Sequence, residues 1–278
     1  SVQHGGAAIP SQPQQQQPTI SYTPPPWASR APTPDTHKLR DFNHRRVYLS
    51  AAPSGTAGKA VHDGSLTMSV PDERRTLTVA PGLAAACSRD TAQGSAGMAA
   101  VLDVCAKDSR IAERNALTFT SVPMTEPTVI SGPVNVHLNT VHDAADGYWS
   151  VTVNDVAPDG SSKVLTTGQL TASLRAIDEQ KSGRTPTGDL TDPFNPITLD
   201  SVQPVVPGEP VALDIAVIPT QAVLQPGHRL RIDVFAANSP KALAFRPMLN
   251  NTELKPQHLR LDPSAPSFVI VPTNRPLG

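Results

Sequence analysis

The stretch from Val211 to Phe235 constrains the fold of this chain more than any other. It reads VALDIAVIPTQAVLQPGHRLRIDVF, and in both halves apolar residues alternate with small, polar or charged ones. A period of two is typical of a strand that buries one face and exposes the other. Because Pro219, Pro226 and Gly227 interrupt this pattern, the stretch predicts a strand, a loop and a second strand.

The second of these strands carries Arg229, Arg231 and Asp233 on the face opposite its apolar residues. Unlike charges on one face of a sheet can pair with charges on neighbouring strands. The three residues do not form a catalytic pattern. This part of the sequence therefore predicts a sheet-building element, with Leu230, Ile232 and Val234 in the core.

The composition favours an all-β fold. The 278 residues include 30 prolines and 17 glycines, and only 4% of them are aromatic. Helix-rich folds tolerate far fewer prolines, and this length suffices for one large all-β domain or two smaller ones. About ten or eleven short strands with long crossing connections favour a two-sheet sandwich or jelly roll.

Charge and hydropathy exclude several classes of partner. Lys and Arg number 23 against 24 Asp and Glu, so the net charge of −1 provides no long-range attraction for nucleic acid or anionic lipid. No apolar run approaches the roughly 20 residues that a membrane span needs. The chain begins at Ser1 without a methionine or a signal pattern, which predicts a processed protein or a piece of a longer one.

Two cysteines, Cys87 and Cys105, flank a stretch of small residues. Their even number and modest separation suit a disulfide, which would contribute about 3 kcal/mol and would favour a secreted or extracytoplasmic protein. Two buried free thiols are the alternative. A zinc site is disfavoured because no histidine lies within ligand spacing of either cysteine.

Residues 1–40 are rich in proline and glutamine and have almost no apolar periodicity. Such a segment cannot bury enough surface to offset its ordering entropy, so we expect an extended or disordered linker. A polyproline strap anchored by Tyr22 and Trp27 is the weaker alternative. We assign residues 41–278 to the β-domain.

Gly147 to Val156 alternates Trp149, Val151 and Val153 with polar residues, and it runs into the turn Pro158-Asp159-Gly160. The return strand begins at Lys163, and Gly168 within it predicts a bulge or a close backbone approach. Two longer connections, residues 83–108 and 177–210, predict surface excursions, and the second could be an interface arm.

Few residues suggest a catalytic or metal-binding site. No Gly-x-Ser-x-Gly nucleophile elbow is present, and Gly94-Ser95-Ala96-Gly97 has the wrong spacing. His137, His142 and Asp143 suggest a metal site but have no matching partner cluster, so a surface turn is the better interpretation. We therefore predict no catalytic centre, no metal and no cofactor in these residues.

Four further residues lie at positions that permit a structural or a functional role. His228 starts a strand, where we expect it to cap or hydrogen-bond the backbone. Asp159 could ligate calcium but more often stabilises a turn. Tyr148 and Trp149 face opposite sides of their strand, so one should pack in the core while Tyr148 could bind a sugar ring or a partner.

Two strings resemble a known family. GYWSVTVNDVAPDGSSKVLTTGQLTASLR is similar to the stretch of X-Pro dipeptidyl-peptidase and cocaine-esterase-like (CocE/NonD) hydrolases in which an aromatic strand precedes Asp-Val-x-Pro-Asp-Gly. Pro219, Thr220 and the run from Gly227 to Asp233 resemble a second block of that family. The resemblance covers roughly Arg46 to Pro272, and it is specific when both blocks are taken together.

The resemblance implies a galactose-binding-like jelly roll, the C-terminal domain of these enzymes, beside an α/β-hydrolase domain with a serine nucleophile. The segment from Asn238 to Arg246 resembles one that lies near the hydrolase domain in the family. It implies docking through Asn238, Pro240, Phe245 and Arg246.

Three functions follow as hypotheses. The first is a non-catalytic accessory domain of a secreted serine hydrolase, packed on an α/β-hydrolase domain and shaping the mouth of its substrate pocket. The second is a free-standing carbohydrate-binding module that uses Tyr148. The third is an enzyme whose site the sequence does not reveal. The family resemblance favours the first.

Overall fold

The alternation of apolar and polar residues is realised as strands over most of the chain. The structure, a computed structural model, describes residues 42–82, 87, 105, 107–236 and 250–277. Within these ranges no helix is long and apolar enough to cross a membrane. The predicted linker, residues 1–40, and the docking residues Asn238, Pro240, Phe245 and Arg246 lie outside the described residues.

The described residues form thirteen strands and very little helix, so the all-β prediction is confirmed. The strands are β1 (Asn43–Ser50), β2 (His62–Thr67), β3 (Arg75–Val79), β4 (Leu117–Thr120), β5 (Thr128–His142), β6 (Tyr148–Val156), β7 (Ser162–Thr171), β8 (Gly183–Arg184), β9 (Leu190–Asp192), β10 (Pro210–Leu224), β11 (Arg229–Phe235), β12 (Gln257–Leu261) and β13 (Phe268–Thr273).

Nine of the strands form one closed sheet in the order β10-β7-β6-β11-β4-β2-β1-β13-β5, because β5 pairs again with β10. Strands β12 and β3 extend from β5, and β8 and β9 form a separate hairpin. Neighbours are antiparallel except for β2 and β4, which are parallel. The sequence predicts two sheets, whereas hydrogen bonds link the strands around the whole ring.

The stretch from Val211 to Phe235 differs from its prediction at Pro219. Strand β10 continues through this proline to Leu224, and the register against β5 shifts between Val217 and Thr220. A bulge accommodates a residue that cannot donate to the ladder, so the strand continues instead of ending. The loop to β11 is therefore short, comprising residues 225–228.

The ring closes between β7 and β10 at a single Cα pair, Val217 with Gly168. A Cβ on Gly168 would lie 2.4 Å from the carbonyl oxygen of Ala216 and 3.1 Å from Cα of Val217. The close backbone approach predicted at Gly168 is therefore confirmed. The register shift in the β6–β7 pair lies elsewhere, between Val153 and Asn154.

The core lies inside the ring and contains the apolar residues that the alternation predicts. Trp149 is fully buried, and it is accompanied by Val151, Val153, Leu213, Ile215, Leu230, Ile232 and Val234. Each fully buried aliphatic side chain stabilises the fold by about 1.5–3 kcal/mol.

The opposite faces of β6 and β11 are not exposed, contrary to the half-buried pattern that the sequence predicts. Asn154, Arg231 and Asp233 lie on these faces, and each is at most 1% exposed. Residues 108–116 cover them: Ser109 donates its backbone N–H to the carbonyl of Ser162 (2.8 Å). A second, polar layer therefore lies between the sheet and this segment.

Cys87 and Cys105 form a disulfide, as the sequence predicts. Closing a loop of this size stabilises a fold by about 3 kcal/mol in the chain-entropy account. Of the predicted excursion 83–108, residues 83–86, 88–104 and 106 lie outside the described residues.

Substitution of Gly168 tests the closure of the sheet. Gly168→Ala is expected to lower the free energy of unfolding by about 1–3 kcal/mol, because the new methyl group meets backbone atoms that cannot move independently. Gly58→Ala is the matched control, since a Cβ there meets nothing within 4 Å. Urea denaturation of both variants measures the difference. Equal stabilities would contradict the close approach.

Candidate functional site

The family-like strings of the sequence meet at one end of β6 and β11. Nδ1 of His228 donates to Oδ1 of Asp155 at 2.7 Å. The backbone N–H of Gly227 donates to the carbonyl of Met124 (2.8 Å), and Met124 returns a bond to the carbonyl of His228 (2.7 Å). His228 therefore bonds a carboxylate through its side chain, whereas the sequence predicts a bond to the backbone.

A fully buried ion pair lies at the centre of the polar layer. Arg231 donates to Thr120 Oγ1 at 2.9 Å and to Glu113 Oε2 at 2.7 Å. Its Nη2 donates to the hydroxyl and carbonyl oxygens of Thr56 at 2.8 and 3.3 Å. The charged partner of Arg231 therefore lies in the segment before β4, whereas the sequence predicts a partner on a neighbouring strand.

Asp233 is the second buried carboxylate of this layer. Its Oδ2 accepts hydrogen bonds from Asn154 Nδ2 and Thr152 Oγ1, and its Oδ1 has no partner among the described residues. Burial raises the pKa of Asp233 well above its usual value. The nearby Glu113 carboxylate contributes to this rise, and Arg231 opposes it. The layer therefore favours a protonated Asp233.

The histidines that suggest a metal site lie apart from each other. His142 is buried, and its Nε2 accepts a hydrogen bond from Trp149 Nε1 at 2.9 Å. Burial lowers the pKa of His142 to about 4. Among the described residues no group of three or more His, Cys, Asp or Glu could hold a metal ion. In this structure His142 orients the core tryptophan, Trp149.

His137 lies on the outer face of β5. Its Nδ1 lies 2.9 Å from Oδ1 of Asp214, and its ring stacks on Phe268 at 4.6 Å between centroids. Arg46 lies over the same phenyl ring at 4.1 Å. Burial alone would raise the pKa of Asp214, but hydrogen bonds from His137 and Asn135 hold that pKa below its usual value.

Asp143 pairs with a histidine that the sequence does not single out. Nε2 of His258 lies 2.8 Å from Oδ2 of Asp143, and its Nδ1 lies 2.9 Å from Oγ1 of Thr78. The order hydroxyl, imidazole, carboxylate is that of a hydrolytic triad. However, the Thr78 and Asp143 side chains are exposed, so water solvates them and no low-dielectric site strengthens their interactions.

The two remaining candidates form local contacts. Asp159 accepts hydrogen bonds from the backbone and hydroxyl of Ser161 at 2.9 and 2.6 Å, as expected of a turn. Tyr148 is partly buried, and its hydroxyl donates to Gln169 at 2.5 Å. Its main chain is fixed by Gln257. Sugar binding by Tyr148 remains a prediction.

Residues 177–209, which we call the arm, cross the outside of the sheet in a fixed path. Asn135 donates to the carbonyl of Leu190 at 3.0 Å, and Arg46 forms an ion pair with Asp189. Farther along, Arg175 donates to the carbonyl of Gln203 at 2.7 Å. The hairpin of β8 and β9 belongs to the arm. The predicted surface excursion is therefore an ordered element.

The arm exposes five apolar side chains between residues 194 and 206, which we call the apolar row. Leu199 is 95% exposed and Ile197 is 81% exposed, although both belong to a segment that is anchored on either side. Phe194, Val202 and Val206 are also exposed. Exposed apolar patches on an ordered scaffold mark interaction surfaces. The proline-rich sequence predicts an excursion here, but it does not show which apolar residues face outward.

The described residues form an all-β domain whose arm exposes apolar side chains. The chain matches the family described as the X-Pro dipeptidyl-peptidase C-terminal non-catalytic domain over residues 11–270. It belongs to this family, as its two strings indicate.

Relatives of this chain are longer proteins. A predicted serine esterase of Mycobacterium bovis is 34% identical over 136 residues, which cover 49% of this chain and 21% of that protein. A predicted serine esterase of Mycobacterium tuberculosis matches to the same extent. The matched region is thus about a fifth of each mycobacterial protein.

Solved structures share the fold. A CocE/NonD family hydrolase from Staphylococcus aureus has a TM-score of 0.56 at 14% identity, covering 84% of this chain and 37% of that one. An aminopeptidase from a marine sediment thaumarchaeote has a TM-score of 0.59 at 14% identity, covering 85% and 37%. An α-amino acid ester hydrolase has a TM-score of 0.57 at 18% identity, covering 83% and 36%.

The pH dependence of stability tests the protonation of Asp233. Because its folded-state pKa is raised, the folded chain keeps a proton that the unfolded chain releases, so this carboxyl group makes stability fall as pH rises above about 4. Asp233→Asn removes this titration and keeps a donor. Between the unfolded-state and folded-state pKa values of Asp233, we expect the free energy of unfolding of the variant to rise relative to that of the wild type. The expected rise is up to about 1.4 kcal/mol per pH unit.

Asp214→Asn provides a control of opposite sign. The pKa of Asp214 is lowered, so its contribution is present above the unfolded-state pKa and is lost as pH falls through the folded-state value. Urea denaturation of the three proteins from pH 3 to about 8 measures both differences. If the wild type became more stable relative to Asp233→Asn as pH rises, this result would contradict the raised pKa of Asp233.

Proposed function

We propose that this chain is the accessory domain of a secreted serine hydrolase of the X-Pro dipeptidyl-peptidase or acyl-esterase type. It packs on an α/β-hydrolase domain that carries the serine nucleophile and helps to shape the mouth of its substrate pocket. In this proposal the closed sheet is a galactose-binding-like jelly roll, and the Cys87–Cys105 disulfide suits an extracytoplasmic location.

The proposal rests on the apolar row of the arm. Isolated apolar residues on a surface are ordinary, but two side chains exposed by 81% and 95% on one anchored segment present apolar area at little further cost in chain entropy. The anchors fix the row before a partner binds. This arrangement suits a lasting interface, since obligate interfaces are more apolar than transient ones.

Two further observations support a hydrolase domain as the occupant. The solved hydrolases that share this fold are longer, and this chain covers only 36–37% of their length. The mycobacterial relatives carry the name of serine esterases, and the matched region is 21% of their length. Asn238, Pro240, Phe245 and Arg246 are proposed to add a second contact to the same domain.

Charge substitution on the arm tests this interface. Leu199→Asp is expected to weaken binding of this chain to the separately expressed hydrolase domain of its parent protein by about 2 kcal/mol or more, because a carboxylate would be buried without a partner. Met68→Asp is the control, since Met68 is also exposed but lies outside the arm. Isothermal titration calorimetry measures both.

Different failures of this experiment have different meanings. If Leu199→Asp and Met68→Asp bind equally well, the domain docks through another surface. If the wild-type chain does not bind the hydrolase domain at all, the accessory function itself is wrong.

Activity assays separate an accessory domain from an enzyme. The chain alone is expected to hydrolyse neither a Gly-Pro p-nitroanilide nor a p-nitrophenyl ester above the uncatalysed rate. Turnover that disappears in Thr78→Val or His258→Ala would contradict this expectation and would assign catalysis to the exposed hydroxyl–imidazole–carboxylate chain.

A further inference from the structure

Two attractions of opposite direction join the arm to the sheet. Arg46 of β1 forms an ion pair with Asp189 of the arm. Asp214 of β10 faces Arg184 of the arm, whose positive charge acts on the Asp214 carboxylate. The sheet and the arm thus each contribute a cation and an anion to their contact.

Asp214 also orients the side chain that ties the arm to the sheet. Its Oδ1 accepts a hydrogen bond from Nδ2 of Asn135 at 2.8 Å and lies 2.9 Å from Nδ1 of His137. The same amide nitrogen of Asn135 donates to the carbonyl of Leu190 in the arm at 3.0 Å. Because Asn135 is fully buried, water does not replace either partner.

The charged groups that face Asp214 come from β5 and from the arm. Strand β5 contributes His137, and the arm contributes Arg184 and Glu179, which form an ion pair at 2.8 Å. Burial raises the pKa of Asp214, but hydrogen bonds from His137 and Asn135 and the charge of Arg184 hold it below its usual value. Asp214 therefore stays ionised until pH falls below the ordinary range of an aspartate.

Acid changes the balance of charge in this contact. Below about pH 4 carboxylates take up protons, while arginine stays charged and imidazole is a cation. Arg46 and His137 on the sheet then lie on the opposite side of the contact from Arg184 on the arm. Like charges in a partly buried contact repel each other, so the attraction turns into repulsion.

We propose that the arm is an acid-released strap, which lies on the sheet at neutral pH and leaves it when Asp214 and Asp189 are protonated. A protonated Asp214 no longer attracts Arg184, and its Oδ1 is a weaker acceptor for Asn135. The contribution of Asp214 is fully present above its unfolded-state pKa and is lost as pH falls through its lowered folded-state pKa.

Release of the strap is a property of this chain alone and does not depend on the proposed docking. Its consequence for function rests on that proposal. Because the apolar row belongs to the arm, release removes the fixed surface on which the hydrolase domain docks. Acid is therefore expected to weaken the contact between the two domains.

Amide hydrogen exchange of the full chain from about pH 7 down to about pH 2.5, below the ordinary carboxyl pKa values, tests the release. After correction for intrinsic rates, residues 183–192 are expected to lose protection by about tenfold or more at a pH where β11 keeps its own. A two-stranded hairpin is marginally stable by itself, so β8 and β9 exchange once they leave the sheet. Loss of protection in the hairpin and in β11 at the same pH would overturn the proposal.

Asp214→Asn separates this carboxyl group from the other effects of acid. At neutral pH, residues 183–192 of the variant are expected to exchange about tenfold faster than those of the wild type, because the charge that faces Arg184 is absent. Further acidification is expected to change this exchange less than in the wild type. Wild-type exchange at neutral pH, or a wild-type pH profile, would contradict the role of Asp214.

Charge reversal tests the second attraction at neutral pH. Arg46→Glu is expected to speed the exchange of residues 183–192 by about tenfold, since it places a like charge beside Asp189. Adding Asp189→Arg restores an ion pair of reversed direction and is expected to recover at least part of the protection. Arg74→Gln removes an exposed arginine outside the arm, and as the control it is expected to leave the exchange unchanged. Equal exchange in the single and double variants would overturn the charge pairing that the strap requires.

Discussion

The closed sheet depends most on the hydrogen bonds of the buried Arg231 guanidinium. This group joins β11 to the loop after β1, to β4 and to the segment before β4, which are 175, 111 and 118 residues away in the chain. A buried charge that loses its partner costs about 3–5 kcal/mol, so these elements must stay together once Arg231 is enclosed. The polar layer thus determines the position of residues 108–116, which cover β6 and β11.

The strands were largely predictable because their physical basis is local. Alternation along β6, β7 and β11 is a property of consecutive residues, and so is the turn at Asp159 and Gly160. Gly168 could be recognised as a close approach because a glycine within a strand has few other uses. The continuation of β10 through Pro219 was not predictable, because the bulge depends on pairing with β5, which is distant in sequence.

The buried polar layer could not be predicted from alternation alone. A strand pattern shows that two faces differ, but not that a separate segment covers the polar face. Glu113 carries no signal in the sequence, and only the fold brings it within 2.7 Å of Arg231. The pairing of His228 with Asp155 is similar: both residues belong to recognisable strings, but their contact appears only when β6 and β11 are neighbours.

The sequence of the arm predicts a surface segment but not the path of that segment. Its prolines and charges predict an excursion, whereas its fixed path depends on Asn135, Arg46 and Arg175, which belong to other parts of the chain. Because these contacts hold the arm before any partner binds, its apolar row is an exposed and ordered surface. We propose an interface with a hydrolase domain as the reason for this combination.

Hydrogen–deuterium exchange on the longer hydrolase that we propose contains this chain tests the proposed docking most directly. Amides of residues 194–206 are expected to exchange more slowly in the intact protein than in this chain alone, while those of the β2–β3 turn around Met68 are expected to be unchanged. Equal exchange of the arm in both proteins would contradict the claim that the apolar row docks on a catalytic domain.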